Sequence, residues 1–224
     1  MVITYLGAEF FKVQFGDITL AFNPVSKDSK IKPSRFGADV VLISTYHEDF
    51  NGIDQVTHGE KKPFVISGPG EYEVKGVFIK GLASESGYGL KPGSKTSEKP
   101  LVNTIYTVSL ENMNICFLGA INNTELTNET VEALDEIDIL FVPIGGEGVL
   151  DAAKAYKLAV SLEPKLIIPM HYATSGAEIG AANALKVFLK EAGENPTPIA
   201  KLTLKKKDLE GKEADVIVLE SSKE

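Results

Sequence analysis

The apolar run at residues 40–43, which leads directly into a polar segment at 44–52, constrains the fold more than any other feature of the chain. Four consecutive aliphatic residues are typical of a strand that is buried on both faces, as in the centre of an α/β sheet. The polar segment contains His47 and Asp49, and an extended chain directs these two side chains to the same side. Because α/β folds place their ligands at the ends of buried strands, we expect a functional site here.

A second histidine, His171, follows a late predicted strand at residues 165–170. Neutral imidazoles and carboxylates are standard zinc ligands. If the two strand ends meet in one cleft, then His47, Asp49 and His171 form a candidate site for one zinc ion or another divalent metal. Asp49 is then a metal ligand and the candidate catalytic residue. The alternative is that Asp49 caps a turn and the two histidines form ordinary hydrogen bonds.

The remaining histidine and the single cysteine are not expected to take part in the site. His58 lies in a polar run next to Gly59, which predicts an exposed side chain. Cys116 lies within an apolar strand with no base or positive charge nearby in sequence, which indicates a small buried residue and not a nucleophile. One cysteine also excludes an internal disulfide and a cysteine-based zinc site. The sequence contains no nucleotide-binding glycine motif and no nucleophile elbow.

Composition and charge exclude two classes of partner. The formal net charge is −8, and a general nucleic-acid binder needs a basic surface, so a nucleic-acid partner is not expected. No apolar stretch approaches the roughly 18 residues that span a bilayer, so we expect a cytoplasmic protein without a membrane partner. At 224 residues with 43% hydrophobic residues, the chain is predicted to form one domain over residues 1–224.

The order of predicted elements indicates the fold class. Strands come first, as an antiparallel meander over residues 1–22, and strands alternate with helices after residue 127. This order suits an α/β (α+β) fold in which two mixed sheets are faced by helices, a four-layer αββα sandwich. Thr127 and Asp151 are predicted helix N-caps, with Val131 and Leu134 on the inner face of the first helix. We further predict one strand at residues 72–80, a long loop at 83–99, and a longest helix at 177–192.

Five stretches of the chain carry a family resemblance, at residues 5–7, 67–72, 103–106, 137–143 and 168–172. On these stretches, the sequence resembles the metallo-β-lactamase superfamily, in the branch that includes the ascorbate-6-phosphate lactonase-like proteins. The stretches span nearly the whole chain in the order of the family. The resemblance implies the metallo-β-lactamase fold, an αββα sandwich, which agrees with the order of elements above.

The metal ligands of that family carry over only in part. Its central motif, His-x-His-x-Asp-His, corresponds here to Thr45, His47, Asp49 and Phe50. The resemblance therefore implies His47, Asp49 and His171 as residual ligand positions. The other family ligand positions correspond to residues without imidazole or carboxylate groups: Ala8, Ser86, Phe117 and Ala120. Catalytic zinc takes about three protein ligands, and two ions need a bridging group, so a dinuclear zinc centre is not predicted.

Side chains next to the lost positions could supply replacement ligands, so a single metal ion remains a candidate cofactor. These side chains are Glu9, Tyr46, Glu48, Glu85, Asn122 and Asn123. Three functions follow. The first is a hydrolase of esters, lactones or phosphodiesters with a single or atypical metal site. The second, which we favour, is a non-catalytic member whose cleft binds a small molecule or a partner protein. A nuclease, as in other branches of the superfamily, is the third, and the acidic balance of the chain makes it less attractive.

Overall fold

The computed structural model describes residues 1–60, 62–90, 101–174 and 177–222, and within them it contains two β-sheets flanked by three α-helices. This arrangement confirms the predicted α/β sandwich. The helices are α1 (Asn128–Leu134), α2 (Ala152–Ser161) and α3 (Ala184–Ala192). The strands are β1 (Val2–Tyr5), β2 (Phe11–Phe15), β3 (Ile18–Phe22), β4 (Val40–Leu42), β5 (Phe64–Ile66), β6 (Gly70–Val74), β7 (Val77–Ser86), β8 (Leu101–Leu110), β9 (Met113–Phe117), β10 (Ile139–Pro143), β11 (Leu166–Met170), β12 (Leu202–Thr203) and β13 (Asp215–Val216).

The first sheet has six strands in the order β12-β1-β2-β3-β4-β5. Strands β1 to β3 form the predicted antiparallel meander, and β4 and β5 add to β3 in parallel. The apolar run forms β4 in the interior of the sheet, and its three residues are buried because one hydrophobic cluster packs on Val40 and Leu42 and another on Val41. The polar segment after β4 therefore starts deep in the molecule.

The second sheet has seven strands in the order β13-β11-β10-β9-β8-β7-β6. Strands β6 to β9 pair antiparallel, whereas β9, β10, β11 and β13 pair in parallel. The prediction of one strand at residues 72–80 is wrong, because the chain reverses at Lys75 and Gly76, which both have positive φ. That turn makes β6 and β7 a hairpin. Strand β7 also continues to Ser86, into the segment predicted as a loop, and residues 91–99 of that loop lie outside the described residues.

Aromatic rings from both sheets form the centre of the core. Phe11 and Phe22 of the first sheet contact Phe141 and Phe117 of the second, with ring centroids 4.6 and 4.9 Å apart. All four side chains have no solvent exposure. Such ring pairs add to the free energy gained by burying apolar area, so these contacts hold the two sheets together.

The N-caps of α1 and α2 are those predicted, but the buried face of α1 and the length of α3 differ from the prediction. Thr127 and Asp151 accept hydrogen bonds from backbone N–H groups in the first turns of α1 and α2, as N-caps do. Val131 is 49% exposed, so the predicted inner face of α1 is wrong at this position, and Leu134 is buried there as expected. Helix α3 starts at Ala184 and not at residue 177, because Gly180 adopts a φ of 70° that no α-helix contains.

No helix among the described residues is long and apolar enough to cross a membrane. The loops that follow β1, β4, β7 and β11 meet at one end of the sandwich. His171 N–H donates to Ala8 O and so connects the loops after β11 and β1, whereas Ser44 O, after β4, accepts the N–H of Thr104 in β8. The residues singled out in the sequence therefore lie at a common edge.

Candidate functional site

The candidate site lies at this edge, where Tyr88 fills the space between His47, Asp49 and His171. We call this space the cleft, and a buried polar chain forms its floor. The Nδ1–H of His171 donates to Glu9 Oε1 over 2.6 Å, and Asn23 Nδ2 donates to Glu9 Oε2 over 2.7 Å. Asn23 Oδ1 in turn accepts the backbone N–H of Ser44 at 2.8 Å. Since Glu9, Asn23 and His171 have no solvent exposure, their orientation is fixed by these bonds.

The imidazole of His171 has one nitrogen that is not used by the protein. Nε2 is buried and has no hydrogen-bond partner among the described residues. Buried polar atoms are nearly always paired, so an unpaired nitrogen needs an explanation. A metal-binding imidazole also holds its second nitrogen against a carboxylate, as His171 does with Glu9.

The backbone around this floor is strained. Ala8, Asn23 and His171 all have positive φ, at 54°, 43° and 58°. Residues other than glycine rarely adopt this conformation, and such strain clusters at functional sites. The backbone of Gly145 also lies close to that of His171, because a Cβ atom on Gly145 would lie 2.1 Å from the carbonyl oxygen of His171. Only glycine fits at residue 145 without displacing this backbone.

Asp49 accepts hydrogen bonds from two loops that flank the cleft. Ser29 Oγ donates to Oδ1, and the phenol of Tyr88 donates to Oδ2 over 2.6 Å. His47 Nδ1 lies 3.4 Å from Oδ2. Burial alone would raise the pKa of Asp49, but hydrogen bonds involving His47, Ser29 and Tyr88 outweigh it and lower the pKa to about 2. Asp49 is therefore a carboxylate at neutral pH.

Tyr88 connects the residues that the sequence placed in the site. Its ring packs against the rings of His47, Phe50 and His171, with centroid distances of 4.8, 5.0 and 4.9 Å. The rings of His47 and His171 meet it nearly at right angles, at 72° and 86°. Burial raises the pKa of the Tyr88 phenol most, and the hydrogen bond to Asp49 raises it further, so the phenol stays a neutral donor.

The loop of Tyr88 approaches the cleft closely. Gly89 has a φ of 79°, and a Cβ atom there would lie 3.0 Å from Cδ2 of His47. Glycine therefore allows the segment after β7 to lie against the imidazole. This contact holds Tyr88 in the cleft.

Apolar side chains and one amide surround Tyr88 and the segment that follows β4. Phe50, Ala120 and Val149 form a small buried cluster, against which Tyr88 packs. Asn103 Oδ1 accepts the hydroxyl of Thr45 at 3.1 Å and the N–H of Ala120 at 3.0 Å. The amide nitrogen of Asn103 donates to Ser84 Oγ and Leu118 O, so this fully bonded amide joins the segment after β4 to the segment after β9.

The structure brings His47, Asp49 and His171 together around one ring, but it does not arrange them as a metal cage. Within the described parts of the chain, no group of three His, Cys, Asp or Glu side chains lies close enough to hold a metal ion. Of the neighbouring donors, Glu9 is bound to His171, and the exposed set comprises Tyr46, Glu48, Glu85, Asn122 and Asn123. His58 is exposed and Cys116 is buried, as predicted.

Sequence reasoning missed Ser29 and Tyr88. Nothing in the local sequence around Ser29 indicates that its hydroxyl reaches Asp49. Tyr88 stands between Gly87 and Gly89, two residues after Ser86, where the resemblance placed a family ligand. An aromatic residue between two glycines near that position is the signal that could have found it.

A family model described as a β-lactamase superfamily domain matches residues 2–171. The chain therefore belongs to the metallo-β-lactamase superfamily, and its relatives carry the name of metal-dependent hydrolases. A protein of Carboxydothermus hydrogenoformans, named UPF0173 metal-dependent hydrolase, is 28% identical over 197 residues, which cover 78% of this chain and 85% of that protein.

Solved structures agree with this assignment. A Thermotoga maritima structure, described as a candidate Zn-dependent hydrolase of the metallo-β-lactamase superfamily, has 29% identity and a TM-score of 0.73, with 98% of each chain covered. A metallo hydrolase from the archaeon Ignicoccus hospitalis has 19% identity and a TM-score of 0.63, covering 99% of this chain and 95% of its own. The latter supports the fold alone.

Proposed function

We propose that this chain is a non-catalytic member of the superfamily, which binds a small molecule in the cleft where its relatives carry out metal-dependent hydrolysis. The observation that carries the proposal is the position of Tyr88. Its ring contacts the rings of His47 and His171, and its hydroxyl bonds Asp49. Side chains in this arrangement do not fit the metal pair of the family.

The chemistry of the other positions supports the same function. Phe50 and Ala120 have no metal-binding atoms, and both are fully buried against Tyr88. A bridging ligand is needed to hold two ions about 3.5–4 Å apart, and Ala120 stands where the family has one. A cleft lined by aromatic rings with a few polar groups is the ordinary form of a small-molecule site.

A second candidate is a hydrolase with a single zinc or other divalent ion, favoured by the unpaired Nε2 of His171. His47, Asp49 and His171 would be its ligands, and Tyr88 would have to leave the cleft. Such an ion lowers the pKa of bound water and so supplies a nucleophile near neutral pH. The resemblance to the lactonase-like branch makes a lactone the first substrate to assay.

Metal analysis and turnover on the same preparation test the proposal. The purified protein is dialysed against zinc or manganese, freed of loose ions and analysed for bound metal. It is then assayed on a lactone, an aryl ester, a phosphodiester and single-stranded RNA. We expect much less than one ion per chain and no metal-dependent turnover.

Asp49→Ala is the control variant for these assays. Turnover that requires metal and disappears in Asp49→Ala would establish the single-metal hydrolase and overturn the non-catalytic function. Turnover that Asp49→Ala retains would instead come from a contaminating enzyme. A thermal-shift screen of small molecules on the wild-type chain then provides the positive test for binding.

A further inference from the structure

The side chain of Tyr88 fills a definite space, which we call the aromatic slot; it is bounded by His47, Asp49, Phe50 and His171. Three of these residues present rings to Tyr88, with centroids within 5.0 Å. The fourth, Asp49, accepts the phenol O–H at 2.6 Å. Apolar walls and one charged acceptor at the end are features that select a ligand by shape and by one hydrogen bond.

We propose that the aromatic slot is a binding site for an aromatic ring carrying a hydrogen-bond donor, and that Tyr88 is its built-in occupant. This inference deepens the proposed function, on which it rests, by naming the chemical class of ligand. A free phenol or a similar ring with a donor has the same chemistry as the tyrosine side chain. It therefore competes with Tyr88 for the slot.

The walls of the slot favour a ring over a metal ion or an aliphatic group. The rings of His47 and His171 meet Tyr88 close to perpendicular, an edge-to-face geometry that aromatic pairs prefer. Phe50 adds a third ring and Val149 an aliphatic contact. A single ion would leave the apolar side chains of Phe50 and Val149 without contacts.

The polar end of the slot explains the need for a donor. Asp49 is 8% exposed and already accepts Ser29 on its other oxygen. Without the phenol, Oδ2 of Asp49 keeps only the longer contact to Nδ1 of His47 at 3.4 Å, and an under-bonded buried carboxylate oxygen costs free energy. A ring without a donor is therefore expected to bind less tightly than a phenol.

The test uses Tyr88→Ala, which empties the slot, with p-cresol, toluene and zinc chloride as probes. Truncating a packed tyrosine is expected to lower the melting temperature on the order of 10 °C. We expect p-cresol to restore most of this loss, toluene to restore less, and zinc to restore none. Cavities made by truncation bind small rings in this way.

Competition with Tyr88 predicts the behaviour of the wild-type chain. When a site is open for only a fraction of the time, its apparent affinity falls by that fraction. Calorimetric titration should therefore give p-cresol on the order of tenfold weaker binding to the wild-type chain than to Tyr88→Ala. Equal affinity for the two proteins would place the ligand elsewhere and overturn the inference.

Three further results would overturn it. The first is that toluene and p-cresol stabilise Tyr88→Ala equally, and the second is that zinc stabilises it more than p-cresol. If Tyr88→Ala does not fold alone, refolding from urea in the presence of each probe makes the same comparison. The third result is that no probe restores folding of the variant. Metal-dependent turnover by the wild-type chain would refute the proposed function instead, whatever p-cresol does.

Discussion

Glu9 and His171 form a buried pair, with 2.6 Å between Oε1 and Nδ1, although 162 residues separate them in the chain. Neither side chain has solvent exposure. Asn23 fixes the other oxygen of Glu9, so the direction of the imidazole is set before any ligand arrives. A fixed imidazole with one unpaired nitrogen is a pre-organised group, which lowers the entropy lost on binding.

Replacing Glu9 should destabilise the chain strongly. Glu9→Ala leaves His171 and Asn23 with unpaired buried groups, and breaking a buried pair costs about 3–5 kcal/mol of unfolding free energy. Glu9→Gln keeps the volume and one acceptor, so we expect a smaller loss of about 1–3 kcal/mol. Urea unfolding measures both. Glu48→Gln, at an exposed position of the cleft, is the matched control and should stay within about 0.5 kcal/mol of wild type.

The stability contributed by Asp49 should disappear in acid. Its pKa falls from 3.8 to about 2 on folding, so its stabilising effect is complete above the unfolded pKa and is lost as the pH falls through the folded one. The depression corresponds to about 2 kcal/mol of unfolding free energy. We expect the stability difference between wild type and Asp49→Asn to shrink by that amount between about pH 5 and pH 2. A constant difference over this range would contradict the assignment.

Removing only the hydroxyl of Tyr88 should lower the free energy of unfolding while the ring stays in the cleft. Tyr88→Phe keeps the ring contacts but deprives Asp49 of one donor, at a cost of about 1–3 kcal/mol. It should also raise the pKa of Asp49, because one of the hydrogen bonds that lower it is gone. Carbon NMR titration of the carboxyl group reports that shift. Tyr46→Phe, at a side chain that is 86% exposed, is the control and should change neither quantity.

A methyl group at residue 145 should disturb the floor of the cleft. In Gly145→Ala the new Cβ would lie 2.1 Å from the carbonyl oxygen of His171, and backbone atoms cannot move aside at low cost. We expect a loss of about 1–3 kcal/mol, as in other overpacked sites. Gly68→Ala is the matched control, since nothing lies within 4 Å of its Cβ. Equal stability of the two variants in thermal unfolding would refute the close approach.

Most of the fold could be predicted because the signals for its elements are local. Apolar runs predicted β1 to β4 and β11, and the types of residue at Thr127 and Asp151 predicted two helix starts. The inner face of α1 was wrong at Val131 because the direction of a short helix depends on the sheet beneath it. The start of α3 was wrong because the apolar pattern of residues 177–192 did not reveal the left-handed backbone of Gly180.

The site could be predicted only in part, for a related reason. His47, Asp49 and His171 follow strands, so their convergence could be expected from strand ends. Tyr88 and Ser29 come from loops whose approach to Asp49 depends on tertiary packing. The glycines on either side of Tyr88 mark that loop but do not specify its contact with Asp49, 39 residues away, and no local pattern marks Ser29. Whether the three strand-end residues ever hold a metal ion stays a prediction.

The left-handed backbone conformations of Ala8, Asn23 and His171 should influence which substitutions are selected when the protein is evolved in the laboratory for thermal stability. Each such conformation costs about 1–3 kcal/mol in a residue other than glycine. Selection for heat resistance alone should therefore favour Ala8→Gly early, since glycine adopts this φ freely. The same change would loosen the loop that carries Glu9, so heat resistance and a rigid imidazole are opposing demands on a single residue.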